Sequence, residues 1–253
     1  MMKKTIDMFY FSKDANIHLL SEVQEEYKKN NGDISKYNGN MYCPECYHAE
    51  LSFTHKTSKS REYFSKLPSS NHLNGCSYNY PYGSKKIITE YCNHLTEQQI
   101  GDKLEAALNI LMRKHNDRNN HKNIPEQDNP FVAIKKEHNN TCRRYAIPRK
   151  SLNCWLDKDL GTDPYIFYGK VKLKVKTFET KDKEEVNYLQ IYTRNRDGEW
   201  KFKSSITRWG YKDNIDENQV YDIAVLGCLN FESRFMRIFT IKNGVKYRIR
   251  FNE

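Results

Sequence analysis

The chain has 253 residues, 38% hydrophobic and 29% charged, with 18 Tyr and 12 Phe. That composition excludes a disordered polymer and supports aromatic-rich cores in one large or two modest domains. A net charge of +10 points to a polyanionic partner, with nucleic acid the expected one, and no apolar run approaches the length of a membrane span.

The first residues, Met1-Met2-Lys3-Lys4-Thr5-Ile6-Asp7, carry lysines but no sustained apolar segment behind them. No secretory signal is expected, and the chain reads as cytoplasmic. In that compartment an odd set of seven cysteines argues for metal ligation over a disulfide framework. Met8-Phe9-Tyr10-Phe11 is a short apolar run. Ile17 to Lys29 is patterned as a helix, ended by Asn30-Asn31-Gly32-Asp33.

Next comes Tyr42-Cys43-Pro44-Glu45-Cys46, then twenty-five residues, then His72-Leu73-Asn74-Gly75-Cys76. Two thiols three positions apart clamp one face of a zinc ion, and a His-x3-Cys pair closes the tetrahedron. Three thiolates and one imidazole leave no open coordination position, so Cys43, Cys46, His72 and Cys76 predict a structural zinc whose removal unfolds the module. His48 or His55 in place of His72 is a weaker reading, as is a second pair from Cys92 and His94, whose spacing is short. Cys142, Cys154 and Cys228 read as ordinary core or surface cysteines.

Residues 8–80 resemble the N-terminal zinc-ribbon module of competence protein CoiA-like proteins. The matching pieces are Tyr42-Cys43-Pro44-Glu45-Cys46, Tyr63-Phe64-Ser65-Lys66-Leu67-Pro68 and His72-Leu73-Asn74-Gly75-Cys76, with Tyr63 standing where such modules carry a histidine. The resemblance implies a DNA-transaction context, and a helix followed by a restriction-endonuclease-like core. Such a core needs an acidic residue and a Glu-x-Lys on adjacent strands to hold Mg²⁺. Glu179-Thr180-Lys181, with Asp163 upstream, is the candidate tripeptide after the helix. It falls at the charged tip of a predicted hairpin, so no catalytic residue is assigned.

The clearest helix begins at Thr96. Thr96 and Gln99 make a capping box, Leu95 and Ile100 a hydrophobic staple, and Ile100, Leu104, Ala107, Leu108, Leu111 and Met112 one buried stripe. Residues 116–130 are polar and Asn-rich with two prolines, an exposed loop or domain linker. Two domains follow: 1–120, a zinc ribbon with its helix, and 121–253, an antiparallel β domain.

In that second domain the period changes to two. Along Tyr165 to Phe178, Phe167, Val171, Leu173 and Val175 share one face and Lys170, Lys172, Lys174 and Lys176 the other. Tyr188 to Arg194 leads through Asp197-Gly198 to Glu199–Trp209, where Trp200, Phe202 and Ile206 are expected opposite Lys201, Lys203 and Trp209. Val220 to Cys228 is a further strand, and Phe235–Ile241 and Val245–Phe251 read as a hairpin about Asn243-Gly244. The predicted fold is α+β: a zinc ribbon plus helix, then a small OB-like antiparallel β-barrel.

On these parities one face gathers Lys170, Lys172, Lys174, Lys176, Arg194, Lys201 and Lys203 beside Tyr188, Tyr192 and Trp209. Cations at strand spacing would follow phosphates while the rings stack on bases, which predicts single-stranded DNA or RNA as ligand. Lys246, Arg248 and Arg250 form a second basic ridge without outward rings, and Arg143-Arg144 and Arg149-Lys150 could extend the patch. The competing expectations are a divergent metal-dependent nuclease and a protein-interaction module acting on a host defence complex. A composition rich in Lys, Asn and Tyr suits an AT-rich phage or mobile-element source.

Overall fold

The computed structural model describes residues 6–112, 129–137, 141–156, 158–179, 184–195, 197–232 and 235–250. Among the described residues the chain is mixed α+β, with three α-helices and mostly antiparallel strands. It divides into two compact units that interleave in sequence: Met1–Gly83 with Asn109–Ile147, and Ser84–Leu108 with Pro148–Glu253. The expected boundary at 120 lies outside the described residues.

In the first unit, strand β1 (Met8–Phe11) pairs antiparallel with β2 (Asn16–Leu19) on one edge and with β3 (Met41–Tyr42) on the other. Asp14 shapes the β1–β2 turn, its Oδ1 accepting from the Asn16 N–H at 2.9 Å. Helix α1 (Leu20–Lys29) starts later than its pattern suggested, because Ile17, His18 and Leu19 are taken into pairing with β1. Glu22 then caps the first turn by accepting from the Leu19 N–H at 2.9 Å.

Strands β4 (Leu51–Thr54) and β5 (Tyr63–Lys66) form a second antiparallel pair, and β6 (Val132–Lys136) and β7 (Cys142–Ala146) a third. The unit's core holds Phe9, Val23, Met41, Leu51 and Phe64 together with Cys43 and Cys76. Phe9 meets Tyr37 and Phe64 edge to face, at 5.7 and 5.2 Å between ring centres. Each fully buried ring of this kind stabilises by about 1.5–3 kcal/mol.

The second unit contains helix α2 (Lys85–His94), the Glu97–Leu108 part of α3 (Glu97–Leu111), and six strands: β8 (Arg149–Ser151), β9 (Tyr165–Glu179), β10 (Glu185–Arg194), β11 (Trp200–Trp209), β12 (Tyr221–Asn230) and β13 (Arg237–Ile249). Their pairings close a ring, β9–β10–β11–β13–β12–β9, antiparallel except where β11 meets β13. Strand β8 lies parallel to the start of β9. The length of β9 permits closure, since residues 165–171 pair with β12 and residues 172–179 with β10. Inside the ring sit Phe167, Val171, Leu173, Leu189, Ile191, Ile206, Ile223, Val225 and Ile238. The lysines of β9 point outward, as the alternation predicted.

Three sequence expectations change. The helix after Thr96 clusters with the C-terminal ring and not with the cysteine module. Its capping box is present: Gln99 Oε1 accepts from Thr96 N–H at 2.8 Å, and Thr96 Oγ1 accepts from Gln99 N–H at 3.1 Å. Asn243-Gly244 is no hairpin turn. Strand β13 runs straight through it, with Lys242 and Asn243 in left-handed conformations (φ 46° and 52°) and a register shift opposite Val225/Gly227. The bulge has partners that sequence could not reveal: Lys242 Nζ donates to the Asn93 and Leu95 carbonyls, and Asn243 Nδ2 to Glu97 Oε1 at 3.2 Å. A Cβ at residue 244 would sit 2.8 Å from the Ile241 oxygen and about as close to Ile100 and Leu226, hence glycine. Finally, a register shift at Ile191/Tyr192 changes the parity of β11, so Phe202 aligns with Tyr192 and Trp200 with Arg194 on the outer face.

Candidate metal centre and cationic sheet face

Cys43 and Cys46 lie on the tight turn after β3. The Cys43 N–H donates to the Ala49 carbonyl, the Tyr47 N–H to the Cys43 carbonyl, and Tyr47 adopts a left-handed φ of 52°. The second pair is brought back by Gly75, at φ 83°, where a side chain would be strained, with the Cys76 N–H donating to the Leu73 carbonyl. His72 stacks on Tyr78 at 5.5 Å.

The four donor atoms lie within 4.8 Å of one another and form a group that could hold a metal ion. Sγ of Cys43 is 3.9 Å from Sγ of Cys76, and Nδ1 of His72 is 3.5 Å from Sγ of both Cys46 and Cys76. A tetrahedral ion with metal–sulfur bonds of about 2.3 Å and metal–nitrogen bonds of about 2.0–2.1 Å has edges of about 3.8 and about 3.6 Å. The three distances above match those edges.

Their electrostatics favour a cation. Burial pushes the Cys43 thiol well up, whereas hydrogen bonds from the Cys43 and Cys76 thiols pull Cys46 far down, and hydrogen bonds with Cys43 and Cys46 hold Cys76 up. Three sulfurs in contact cannot all ionise unaided; a dication would let them. His48 is exposed and His55 stacks on Tyr27 at 4.5 Å, so neither replaces His72. Cys92 is buried in α2 of the other unit, Cys142 is exposed, and Cys154 and Cys228 are partly buried.

Sequence reasoning passed over Glu45. This buried carboxylate between Cys43 and Cys46 accepts from the Ser77 N–H and Oγ, both at 2.6 Å, and from Asn129 Nδ2 at 2.7 Å. Donors from Ser77 and from the distant Asn129 together make burial of the carboxylate tolerable here.

On the second unit's ring, Lys172, Lys174 and Lys176 project from β9 in register with Tyr192, Gln190 and Tyr188 of β10. Lys172 lies over the Trp200 ring at 5.9 Å, Lys174 over Tyr192 at 5.9 Å, and Arg237 over Tyr188 at 5.4 Å. Tyr192 meets Phe202, and Phe202 meets the exposed Phe235. Trp200, Phe202, Phe235 and Arg237 join this face although the sequence pattern did not place them there. The β11 parity shift hid the first two.

The other predicted residues are placed differently. Lys170 is exposed but sits where β9 pairs with β12, beside Asp222. Arg194 Nε donates to the Gly198 carbonyl at 2.8 Å, and Lys201 pairs with Glu199 at 2.8 Å. Trp209, 70% exposed, lies at the opposite end of the β10–β11 hairpin from Arg194. Lys203 is diverted: its Nζ donates to the Cys154 carbonyl at 2.7 Å, and burial pushes its pKa down. Lys174 also pairs with Glu217 at 2.8 Å. Glu179 is exposed at the end of β9, while Thr180 and Lys181 lie outside the described residues.

Comparison with protein-family models, curated proteins and solved structures finds no match for this chain. Among the described residues no helix is long and apolar enough to cross a membrane.

Proposed function

We propose that the chain is a zinc-stabilised protein that binds single-stranded nucleic acid on the outer face of β9, β10 and β11. The observation that carries this reading is the set of three cation–ring pairs on that face, Lys172 with Trp200, Lys174 with Tyr192 and Arg237 with Tyr188. A cation resting on a ring keeps both oriented, and a phosphate arriving at the cation brings its base to the ring.

The ring topology supports the same reading. A five-stranded closure in which β12 returns beside β9 and β13 closes onto β11 supports reading the ring as an OB-like Greek-key barrel. In such barrels the second and third strands and the loop between the fourth and fifth take the oligonucleotide. Those strands are β10 and β11, and Phe235 stands between β12 and β13. Zinc is the ion we assign to the cysteine site, because three thiolates and an imidazole in a closed tetrahedron are its structural donor set. That ion supplies rigidity, and the resemblance to CoiA-like zinc ribbons fits a role beside DNA.

The test is a fluorescence-anisotropy titration of labelled single-stranded oligonucleotides, DNA and RNA, at two salt concentrations. Affinity should fall with salt by about 0.7 log units per log unit of salt for each phosphate contacted. Tyr192→Ala should weaken binding by about 5–150-fold, the equivalent of one lost base stack of about 1–3 kcal/mol. Salt-independent binding, or equal affinity in Lys172→Glu/Lys176→Glu, would sink the reading. Cleavage of the oligonucleotide with Mg²⁺, lost in Glu179→Ala, would replace it with a nuclease.

A further inference from the structure

We propose that the β6–β7 hairpin of the first unit is a separate duplex-gripping element, seated by the metal centre. It does not rest on the ring face. The link begins at Glu45, held between two metal ligands and bonded to Asn129. Asn129 is buried, and the same Nδ2 donates to the carbonyl of Gly75, the residue before ligand Cys76, at 2.7 Å. Its Oδ1 accepts from the Phe131 N–H at 2.9 Å, and its carbonyl from the Val132 N–H at 3.1 Å, where β6 begins.

The other strand is held by the residues that leave the ligand loop. The Ala146 N–H donates to the Pro81 carbonyl at 2.8 Å, and the Gly83 N–H to the Ala146 carbonyl at 3.0 Å. Both ends of the hairpin base are therefore fixed to the segment that carries Cys76. Val132, Ala133 and Ala146 are buried there.

The outer part is different. Lys135 stands directly opposite Arg143 on one face, and Lys136 opposite Cys142 on the other; all four are exposed. Like charges opposite one another across strands destabilise a sheet, and Glu137, paired with Arg143 at 3.2 Å, answers only part of the charge. An anionic occupant would remove that cost. Cations on both faces of a two-stranded ribbon suit a groove with phosphates along each wall, and the major groove of a duplex admits such a ribbon. A one-sided track, such as the ring face, suits a single strand instead.

The experiment measures duplex and single-strand binding by the full chain in four forms: wild type, Lys135→Glu/Arg143→Glu, Lys172→Glu/Lys176→Glu and Asn129→Ala, with zinc content and circular dichroism on each. The hairpin variant should keep its zinc and fold, lose at least tenfold in duplex affinity, and show a salt slope smaller by about 2, one per phosphate contact removed. The ring variant should keep duplex affinity while losing the single strand. Unchanged duplex binding in the hairpin variant overturns the proposal and leaves the ring reading standing; the converse pattern overturns the ring reading alone. Asn129→Ala should lower zinc affinity and duplex affinity together, and loss of one without the other breaks the link to the metal.

Discussion

Glu45 and Asn129, eighty-four positions apart in the chain, form a buried hydrogen bond of 2.7 Å beside the Cys/His cluster. The Glu45 carboxylate is surrounded by donors from Ser77 and Asn129. Glu45→Gln removes the negative charge and turns an amide NH₂ either toward the Ser77 hydroxyl, which can turn to accept, or toward the Ser77 and Asn129 N–H groups, which cannot. Leaving a buried donor unmet costs about 1–3 kcal/mol, and groups that support metal ligands typically change affinity by about 10–100-fold. We therefore expect Glu45→Gln to bind zinc at unchanged stoichiometry but release it faster to a chelator. Release at the wild-type rate would show that Glu45 plays no part in holding the site.

The cluster of Cys43, Cys46, His72 and Cys76 was legible because metal spacing is local in sequence: Cys-x2-Cys and His-x3-Cys carry their own signature. Glu45 was not, since its partner lies on a different segment and no pattern joins the two. The strands of the ring followed from period-two alternation, which reports which face is buried. Register shifts erase that signal. One such shift moved Phe202 and Trp200 outward, and the bulge at Lys242-Asn243 made one strand resemble two, because left-handed backbone favours the same residues in a bulge as in a hairpin turn. Lys203 shows a further limit: a lysine on an alternating strand reads as solvent-facing until the carbonyl that captures it, that of Cys154, is known.

His18 bridges two carboxylates, with Nδ1 2.7 Å from Glu22 and Nε2 2.7 Å from Asp14, and stacks on Phe9. The Glu22 hydrogen bond, against the opposing effect of burial, raises the His18 pKa above its ordinary 6.5. Burial alone would raise Asp14 and Glu22, but hydrogen bonds from the Asn16 N–H and His18 to Asp14, and from His18 and the Leu19 N–H to Glu22, bring them below their ordinary 3.8 and 4.5. The folded state thus keeps the imidazole proton longer than the unfolded chain. This contribution is complete below pH 6.5 and is lost as pH rises through the higher folded value. The carboxylates act in the opposite sense, contributing above pH 4.5 and failing on acidification. Chemical denaturation across pH should show a stability plateau between those limits, flattened in His18→Gln. A profile identical in the variant would rule out this triad as its source.

Lys203→Ala separates structural from binding lysines. The side chain donates to the Cys154 carbonyl and is partly buried, so its loss should cost about 0.5–1.5 kcal/mol of stability through that hydrogen bond. Because the ammonium is already engaged, oligonucleotide affinity and its salt slope should not change. Lys176→Ala should do the reverse, leaving the melting temperature within about a degree while lowering the salt slope by about 0.7. If Lys203→Ala reduced the slope as Lys176→Ala does, the lysine would be contacting phosphate after all.

Arg208 and Asp213 form a buried ion pair in the second unit, with guanidinium nitrogens 3.0 and 3.3 Å from the two carboxylate oxygens. Asp213 also accepts from Tyr247 Oη at 3.1 Å, and Arg208 lies over the Tyr211 ring at 4.7 Å. Burial, reinforced by the neighbouring Asp213 charge, pushes the Tyr247 hydroxyl above the usual phenol range, so it stays protonated as donor. Removing one partner of a buried pair leaves the other charge without compensation, which costs about 3–5 kcal/mol. Asp213→Ala should therefore lower the denaturant midpoint strongly at constant slope, and Tyr247→Phe by about 0.5–1.5 kcal/mol. The double variant Arg208→Met/Asp213→Leu decides what the pair is worth. Replacing both charges with apolar groups of similar volume removes the desolvation cost along with the attraction, so it should be much more stable than Asp213→Ala. If it were equally unstable, the loss would lie in shape and packing, not in an uncompensated charge.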